Sequence, residues 1–284
     1  MKSGFVMLAG RSNVGKSTLL NALVGTKVAI VTPKPQTTRR PVRGVLHDPR
    51  GQIVFVDTPG VFLGKTDPLS RRLNQIVAES LEGLDAIVYV IDPTREPGAE
   101  EEYIRELLRR TSMPIIVAIN KSDLGDKQRP ALGRALETEI GQKATLEISA
   151  KRRRNLNRLV DLLFEHLPEG EKYYPDLQLT DLAHKQWLEE LIREKCFLAL
   201  QAELPYSVKV VVDETQDRAD GTRYVAATIW TTDDRYKAMI IGAGAEKLKA
   251  IGSATRKELE EVTGLKVYLD LRVKVDPKWP IRFK

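Results

Sequence analysis

The chain has 284 residues, too many for one compact core and too few for three ordinary ones, so we expect two domains. Charged residues make up 30% and hydrophobic residues 42% of the sequence, which excludes disordered and fibrous proteins. The longest apolar runs have the length of strands, so no transmembrane segment is predicted. The single cysteine excludes a disulfide scaffold and indicates a reducing compartment. The net charge of +6 permits a polyanionic partner but does not establish one.

Residues 1–167 alternate between strand-like apolar runs and helical patterns, which is typical of βαβ units. The predicted strands, rich in Val, Ile and Leu, are 5–9, 53–57, 86–92, 114–120 and 144–149. Helical periodicity follows at 16–24, 98–110 and 156–166. Residues 42–48 form a further strand that pairs with its successor as an antiparallel hairpin. The pattern predicts a mostly parallel, doubly wound α/β sheet.

A phosphate-binding motif follows the first strand. Residues 10–17 read GRSNVGKS, which matches G-x-x-x-x-G-K-[ST] without deviation and opens a helix. The glycines let successive backbone N–H groups face a phosphate, and the helix N-terminus adds a positive dipole end. We expect Lys16 to reach the β- and γ-phosphates as a catalytic group and Ser17 to bind Mg²⁺. The nucleotide-binding residues predicted here are Gly10, Arg11, Ser12, Asn13, Val14, Gly15, Lys16, Ser17 and Thr18.

An Asp-x-x-Gly motif ends the third strand. Asp57 is placed to hold Mg²⁺ through water, and the N–H of Gly60 is placed to sense the γ-phosphate, which makes Gly60 a catalytic candidate. Val61 follows this motif, at a position where phosphate-loop hydrolases often have a glutamine that orients the attacking water. We therefore expect slow intrinsic hydrolysis, and the group that orients the water is left open. The nucleotide-binding residues predicted here are Asp57, Thr58, Pro59, Gly60 and Val61.

Two motifs after later strands select the base. In Asn120-Lys121-Ser122-Asp123, the carboxylate of Asp123 can accept hydrogen bonds from the ring N–H and the exocyclic amine of guanine, a pair that adenine lacks. GTP is therefore predicted over ATP. The stem of Lys121 can cover the base, and Asn120 can tie this loop to the phosphate loop. After the next strand, a backbone donor for the guanine carbonyl comes from Ser149, Ala150 and Lys151.

A polar, proline-rich segment, residues 33–40 (PKPQTTRR), connects the first helix to the second strand and is predicted to be a nucleotide-dependent switch. We choose Thr38 over Thr37 as the threonine that closes on Mg²⁺ and the γ-phosphate, which makes Thr38 both a metal ligand and a catalytic candidate. Arg39 and Arg40 are candidate charge stabilisers. We interpret them instead as solvated arginines beside a loop.

The predicted domains are residues 1–168 and 180–284, joined by a linker at 169–179. The second domain is predicted to contain a helix at 180–201, strands at 207–213 and 223–231, a glycine-containing loop at 242–245, a helix to about residue 262 and a strand at 266–275. This α-β-β-loop-α-β order predicts a small α+β domain. Residues 180–234 have six Lys and Arg against eleven Asp and Glu, whereas residues 235–284 have twelve against six. Positive charge is therefore concentrated around the loop.

The motifs KPQTTR (34–39), VDTPG (56–60) and NKSD (120–123), with MIIG (239–242) and LKAIG (248–252) in the second domain, resemble the Era GTPase family along essentially the whole chain. The resemblance implies a P-loop GTPase domain followed by a type II KH RNA-binding domain. It implies binding and hydrolysis of GTP with Mg²⁺, and binding of the 3′ end of small-subunit ribosomal RNA during small-subunit assembly. It further implies a cytoplasmic monomer, and it leaves peripheral membrane association open.

A KH domain clamps four nucleotides of single-stranded RNA against a G-x-x-G loop. The RNA-binding residues predicted here are Gly242, Ala243, Gly244, Ala245, Lys247, Lys249 and Arg256. The family usually has glycine at the last loop position and a lysine within the loop. Ala245 therefore adds a Cβ and Gly244 removes a charge, and the effect on RNA affinity is left open. Trp230 is interpreted as a packing residue, with base stacking as the alternative.

Two other functions remain open from the residues alone. The first is a GTPase of the tRNA-modification type, for which the second domain offers no catalytic cluster. The second is an RNA-binding structural protein whose nucleotide site does not switch. Steady-state phosphate release distinguishes the second alternative from a GTPase switch.

Overall fold

The computed structural model describes residues 1–61, 63, 68–124, 140–201 and 204–282. Contacts divide the chain into two compact units, Met1–Asp181 and Leu182–Lys284. The domain bounds predicted from the sequence stay a prediction. Each unit is described by itself below.

The first unit is built on a six-stranded sheet with the order β2-β3-β1-β4-β5-β6. Only the β2–β3 pair is antiparallel among these described strands, which confirms the predicted α/β fold and its hairpin. The strands are β1 (Lys2–Ala9), β2 (Val42–Asp48), β3 (Gly51–Asp57), β4 (Ala86–Ile91), β5 (Ile115–Ile119) and β6 (Ala144–Glu147). The helices described in this unit are α1 (Lys16–Val24), α2 (Pro68–Glu79), α3 (Ala99–Arg109) and α4 (Leu156–His166).

Alternate residues of each strand face opposite helical layers. Val6 and Leu8 of β1 belong to the core beneath α1 and α4, whereas Met7 and Ala9 belong to the core beneath α2 and α3. Burial on both faces explains why these strands are nearly continuous runs of apolar residues. Helix α2 was missed by the sequence prediction, although Leu69, Leu73, Ile76 and Val77 recur at helical spacing and are buried.

The segment predicted as a linker makes extensive contacts with the first unit. The backbone N–H of Gly170 donates to Met1 O (2.9 Å), and that of Val45 donates to Leu179 O (2.9 Å). The buried side chain of Gln52 accepts from the N–H of Tyr173 (2.9 Å) and donates to Tyr174 O (2.9 Å). Residues 168–181 therefore lie along the sheet of the first unit, even though they contain no helix or strand.

The second unit is a three-stranded sheet covered on one face by helices. The strands are β7 (Lys209–Asp217), β8 (Arg223–Thr231) and β9 (Val267–Val275), in that order, with β7–β8 antiparallel and β8–β9 parallel. The helices are α5 (His184–Ala199), α6 (Asp234–Ile241) and α7 (Glu246–Thr263). Side chains from all three helices share one hydrophobic core with alternate strand residues.

The observed element order, α-β-β-α-α-β, contains one helix more than the sequence prediction. Helix α6 begins after Asp233, whose carboxylate accepts a hydrogen bond from the N–H of Tyr236 (2.8 Å) and caps the first turn. It ends at Gly242, which has a positive φ of 75°. Its shortness, eight residues, kept the helical period from standing out in the sequence. Among the residues that the structure describes, none of the helices combines the length and apolar character needed to cross a membrane.

Candidate nucleotide and RNA sites

The phosphate loop between β1 and α1 depends on glycine at two positions. Gly10 and Gly15 have φ angles of 151° and 103°, which side chains rarely adopt. A Cβ at Gly15 would lie 2.3 Å from Asn120 Nδ2, and one at Gly10 would lie 2.5 Å from Val90 O. The loop can therefore follow this path only without side chains at these two points.

Lys16 lies at the centre of this loop and is buried. Its ammonium donates hydrogen bonds to Gly10 O (2.8 Å) and Arg11 O (2.9 Å). Burial lowers the pKa of Lys16 to about 8, although the carboxylate of Asp57 opposes this shift. The ammonium therefore lies inside the loop, where the phosphates of a nucleotide are expected.

Three side-chain oxygens predicted as metal ligands meet at the carboxyl end of β3. Ser17 Oγ lies 2.5 Å from Asp57 Oδ2, and Thr38 Oγ1 lies 3.0 Å from Ser17 Oγ. The second carboxylate oxygen, Asp57 Oδ1, is buried and accepts no hydrogen bond from the described residues. Burial raises the pKa of Asp57 to about 6, against the opposing effects of Lys16, Ser17 and Thr38. A buried carboxylate oxygen beside two hydroxyls fits Mg²⁺, which prefers oxygen ligands.

The predicted switch segment places its two threonines differently. Thr38 faces Ser17 and Asp57, whereas the hydroxyl of Thr37 meets Thr32 Oγ1 (2.6 Å) and donates to Lys34 O (2.7 Å). Of the two neighbouring arginines, Arg39 is only 3% exposed, so its interpretation as a solvated side chain is wrong. Thr38 is held at Ser17 and Val42 is buried in the core, so the backbone between these two points brings Arg39 into the protein. Arg40 is exposed, as predicted.

The end of the Asp-x-x-Gly motif runs along the phosphate loop. A Cβ at Gly60 would lie 2.6 Å from both Cα and N of Ser12, so only glycine allows this approach. Val61 forms a parallel bridge with Arg11, and its side chain is fully buried in the core on the α2–α3 side. Val61 therefore has only its backbone available for a nucleotide.

Asn120 joins the three loops that surround the site. Its Nδ2 donates to Val14 O (2.8 Å) in the phosphate loop, and its Oδ1 accepts from the N–H of Ala150 (2.9 Å). Asp123 Oδ1 accepts a hydrogen bond from Ser149 Oγ (2.5 Å), which lowers the pKa of this carboxyl. The carboxylate consequently stays ionised and acts only as an acceptor at neutral pH.

The phosphate loop, the switch segment, Gly60 and Lys121 line one cleft of about 290 Å³, whereas Asp57, Asn120, Asp123 and residues 149–151 are outside its lining. Of the predicted nucleotide residues, the cleft is lined by Ser12, Asn13, Gly15, Lys16, Ser17, Thr18, Thr38, Gly60 and Lys121. The side chain of Arg11 turns away and pairs with Glu101 at 2.8 Å, while Thr58 Oγ1 donates to Leu8 O. Val14 is buried in the core. For these residues the backbone is the part that can contact a phosphate.

Sequence reasoning missed several residues of the cleft. Ile30, Val31, Thr32, Pro33 and Gln36 line it from the segment before β2. From a distant loop, the guanidinium of Arg95 donates to Ser12 O at 3.3 Å. Pro33 and Gln36 lie within the predicted switch segment, although neither was singled out as a site residue. Ile30, Val31, Thr32 and Arg95 belong to no recognised motif, and the signal available for the first three was their proximity to that segment.

A buried hydrogen bond connects the switch segment to α2. Gln36 has a positive φ of 55°, and its Nε2 donates to Ser70 Oγ at 2.8 Å. We expect Ser70→Ala to weaken binding of a non-hydrolysable GTP analogue about tenfold and to leave GDP affinity within twofold. The buried amide of Gln36 loses its acceptor only when the switch is closed. Leaving a buried polar group without a partner costs about 1–3 kcal/mol. Titration with fluorescent analogues measures both affinities, and an equal loss for GDP would contradict this role.

The predicted RNA site is a groove between α7 and the free edge of β9, with a volume of about 390 Å³. It is lined by Ala245, Leu248, Lys249, Gly252, Ser253, Arg256 and residues 268–271 of β9. Lys249 Nζ donates to Gly244 O at 3.2 Å, so it lies beside the glycine-containing turn. Gly242, Ala243 and Gly244 form that turn. Lys247 lies against Gly242 and is not part of the groove lining.

The loop ends in an alanine with a strained backbone. Ala245 has a φ of 63°, a left-handed conformation that disfavours a Cβ. We expect Ala245→Gly to raise the free energy of unfolding of the second unit by about 1 kcal/mol. As a matched change, Gly244→Ala, at φ 55° with open space around it, should lower this free energy by a similar amount. Urea unfolding of both variants tests the pair, and a destabilised Ala245→Gly variant would contradict it.

The family comparisons agree with this geometry. A model described as 50S ribosome-binding GTPase matches residues 5–121, and a KH domain model matches residues 203–280. GTPase Era of Heliobacterium modesticaldum is 40% identical over 280 residues, covering 98% of this chain and 93% of that protein. GTPase Era of Halothermothrix orenii is 41% identical, covering 98% and 94%.

The chain belongs to the Era GTPase family.

Two solved Era structures extend the comparison to three dimensions. An Aquifex aeolicus Era variant bound to GDP·AlF4⁻ is 37% identical, with a TM-score of 0.93 over 99% of this chain and 96% of its own. An Era complex with MgGDPNP and nucleotides 1506–1542 of 16S ribosomal RNA, also 37% identical, gives 0.94 over the same shares. The predicted family and the predicted fold, a P-loop GTPase domain followed by a KH domain, are confirmed.

Proposed function

We propose that this Era-family protein is a Mg²⁺-dependent GTPase whose nucleotide state controls how its KH domain holds the 3′ end of small-subunit ribosomal RNA during subunit assembly. The observation that carries the proposal is the meeting of Thr38 with Ser17 and Asp57, because it links a switch segment to the nucleotide site. The Era relative bound to 16S RNA supports the choice of RNA. The 50S description belongs to a match that ends at residue 121, before the RNA-binding unit begins.

In the nucleotide site, Mg²⁺ would be held by Ser17, Thr38 and Asp57, and when bound it neutralises charge on the β- and γ-phosphates. Lys16 supplies a desolvated ammonium to the same phosphates, and the N–H of Gly60 faces the γ-phosphate. Asp123 accepts from the guanine edge. Because the Val61 side chain is in the core, the attacking water must be oriented by backbone, by the switch segment or by a partner, which agrees with slow intrinsic hydrolysis.

In the RNA site, we propose that the loop 242–245 approaches the RNA backbone while Lys249 and Arg256 neutralise phosphates along α7. Both side chains are on the groove, and α7 presents them one above the other at helical spacing. Lys247 contributes at longer range. Neutralising phosphates makes the affinity fall as salt rises.

The first experiment measures RNA affinity and crosslinking to nucleotides 1506–1542 of 16S RNA in the presence of GTP analogue, GDP or no nucleotide. Lys249→Ala should weaken binding about tenfold and reduce its salt dependence. Lys257→Ala is the matched control, because that lysine is on the same helix, 80% exposed, and outside the groove lining. Identical RNA affinity in all nucleotide states would overturn the switch. An equal effect of the two variants would overturn the placement of the RNA.

The finer parts of the proposal are a cytoplasmic, monomeric protein with peripheral membrane binding through the exposed basic residues 151–154. Co-sedimentation with vesicles containing phosphatidylserine should exceed that with neutral vesicles and fall at 0.5 M salt. Equal sedimentation with both kinds of vesicle would contradict membrane binding through these residues.

A further inference from the structure

One face of the second sheet points away from the helices. Along β9, Val267 and Val273 are in the core under α5 and α7, whereas the alternate residues Tyr268, Arg272 and Lys274 are exposed. The pleat of a strand sends successive side chains to opposite faces, so these three residues share the outer face. This face therefore combines aromatic and basic side chains.

Three planar groups are stacked at one end of this face. Tyr224 of β8 and Tyr268 of β9 are register partners, and their rings lie 5.9 Å apart at an interplanar angle of 21°. The guanidinium carbon of Arg218 lies 4.8 Å from the Tyr224 ring centroid and 5.2 Å from that of Tyr268. Tyr268 is 56% exposed, so a large part of its surface remains open to a further flat group. We call Arg218, Tyr224 and Tyr268 the stacked cluster.

The stacked cluster is continuous with the groove. Tyr268 also lines the groove between α7 and β9, because β9 is the edge strand of the sheet. A chain that leaves the groove around this edge meets Tyr268 first. Six residues further along β8 and β9, about 20 Å by strand geometry, Lys274 Nζ lies 5.7 Å from the Trp230 ring centroid. The outer face thus offers a second aromatic–cation pair on the same path.

Both signs of charge occur on and beside this face, and cations are the groups that lie against its aromatic rings. The carboxylate of Asp270 accepts a hydrogen bond from Arg272 (2.8 Å) and lies 3.5 Å from the Tyr224 hydroxyl, so its charge is compensated. Asp213 accepts from the hydroxyl of Thr228 (2.7 Å). Arg272 is paired with Asp270, and Asp217 in the loop that carries Arg218 is paired with Arg223. Arg218 and Lys274 are the cations that lie against the aromatic rings. Stacked aromatics flanked by cations are the elements with which proteins bind single-stranded nucleic acid, because every base has a π-face.

We propose that the stacked cluster binds bases of single-stranded RNA that continues beyond the four nucleotides of the groove. Tyr268 stacks the first base past the groove, and Arg218 holds the adjoining phosphate while packing on the rings. This inference rests on the proposed function, since it needs RNA in the groove. It extends the RNA site from the α7–β9 groove to the outer face of the sheet.

The experiment compares two RNA probes on the full-length protein with a GTP analogue. The long probe is 16S RNA nucleotides 1506–1542, and the short probe is the tetranucleotide of that segment that binds the wild type best. Tyr268→Ala and Tyr268→Leu should weaken binding of the long probe about tenfold, while Tyr268→Phe should stay within twofold, since it keeps the ring. Arg218→Ala should weaken only the long probe, because Arg218 is outside the groove lining.

The two probes distinguish RNA binding by the stacked cluster from the proposed RNA binding in the groove. Wild-type binding of the long probe by all variants would overturn the inference alone. Equal losses on both probes would also overturn it, because the cluster would then act inside the groove. Variants that bind both probes normally but lose the small subunit would identify a protein on this face and overturn the RNA assignment. A wild type that binds neither probe would overturn the proposed function, and the inference with it.

Discussion

Replacing Lys16 with methionine should reduce steady-state phosphate release at least about 100-fold while the protein still folds. Loss of one preorganised charge donor to a transferring phosphoryl group has effects of this size. The change keeps the volume of the aliphatic stem and removes only the ammonium, which donates to Gly10 O and Arg11 O in the loop. Unchanged phosphate release would place the reacting site elsewhere.

The same variant should be more stable than the wild type when no nucleotide is bound. Burial lowers the pKa of Lys16 to about 8 from an ordinary value of 10.5, so the folded protein binds this proton less tightly than the unfolded chain. The resulting loss of stability is full below pH 8 and disappears as the pH rises to 10.5. The free energy of unfolding of the nucleotide-free wild type should therefore rise between pH 8 and 10.5. The Lys16→Met variant should not show this rise.

Urea unfolding at pH 7.5 and 9.5 measures this difference directly. Lys257→Met is the matched control, because an 80% exposed lysine should change neither phosphate release nor the pH dependence of stability. A Lys16→Met variant that is less stable than the wild type at pH 7.5 would contradict the assignment of a desolvated ammonium.

Asp123→Asn should weaken GTP binding at least about 100-fold and should allow xanthosine triphosphate to compete better than GTP. A carboxylate accepts from both N–H groups of guanine, whereas an amide offers one acceptor and one donor, and a site built for two donors rejects a mismatched base strongly. Xanthine has a carbonyl in place of the exocyclic amine, and the new amide N–H can donate to it. The hydrogen bond from Ser149 Oγ can persist, because the amide keeps an oxygen.

Competition of GTP, xanthosine triphosphate and ATP against labelled GDP tests this prediction. Asp161→Asn provides the control, because that carboxylate pairs with Arg50 on the surface and should leave all three affinities unchanged. If the wild type preferred ATP, or if Asp123→Asn bound GTP normally, the guanine assignment would fail.

The local chemistry of the nucleotide site follows from the amino-acid sequence alone. A phosphate loop consists of consecutive backbone groups, so its glycines, Lys16 and Ser17 can be recognised as one contiguous motif. The parallel strands can be recognised equally well, because burial on both faces requires unbroken apolar runs. Helices α2 and α6 escaped prediction, since α6 has only eight residues and half of the residues of α2 are polar.

Which side chains face one another across distant parts of the chain depends on the tertiary structure. It turned Thr38 rather than Thr37 toward Asp57, directed Arg11 and Val61 into the interior, and joined Asn120 to two other loops. It also stacked Tyr224 on Tyr268 across more than forty residues of intervening sequence. Side-chain direction depends on packing against partners that are remote in sequence, and no local pattern of residues encodes those partners.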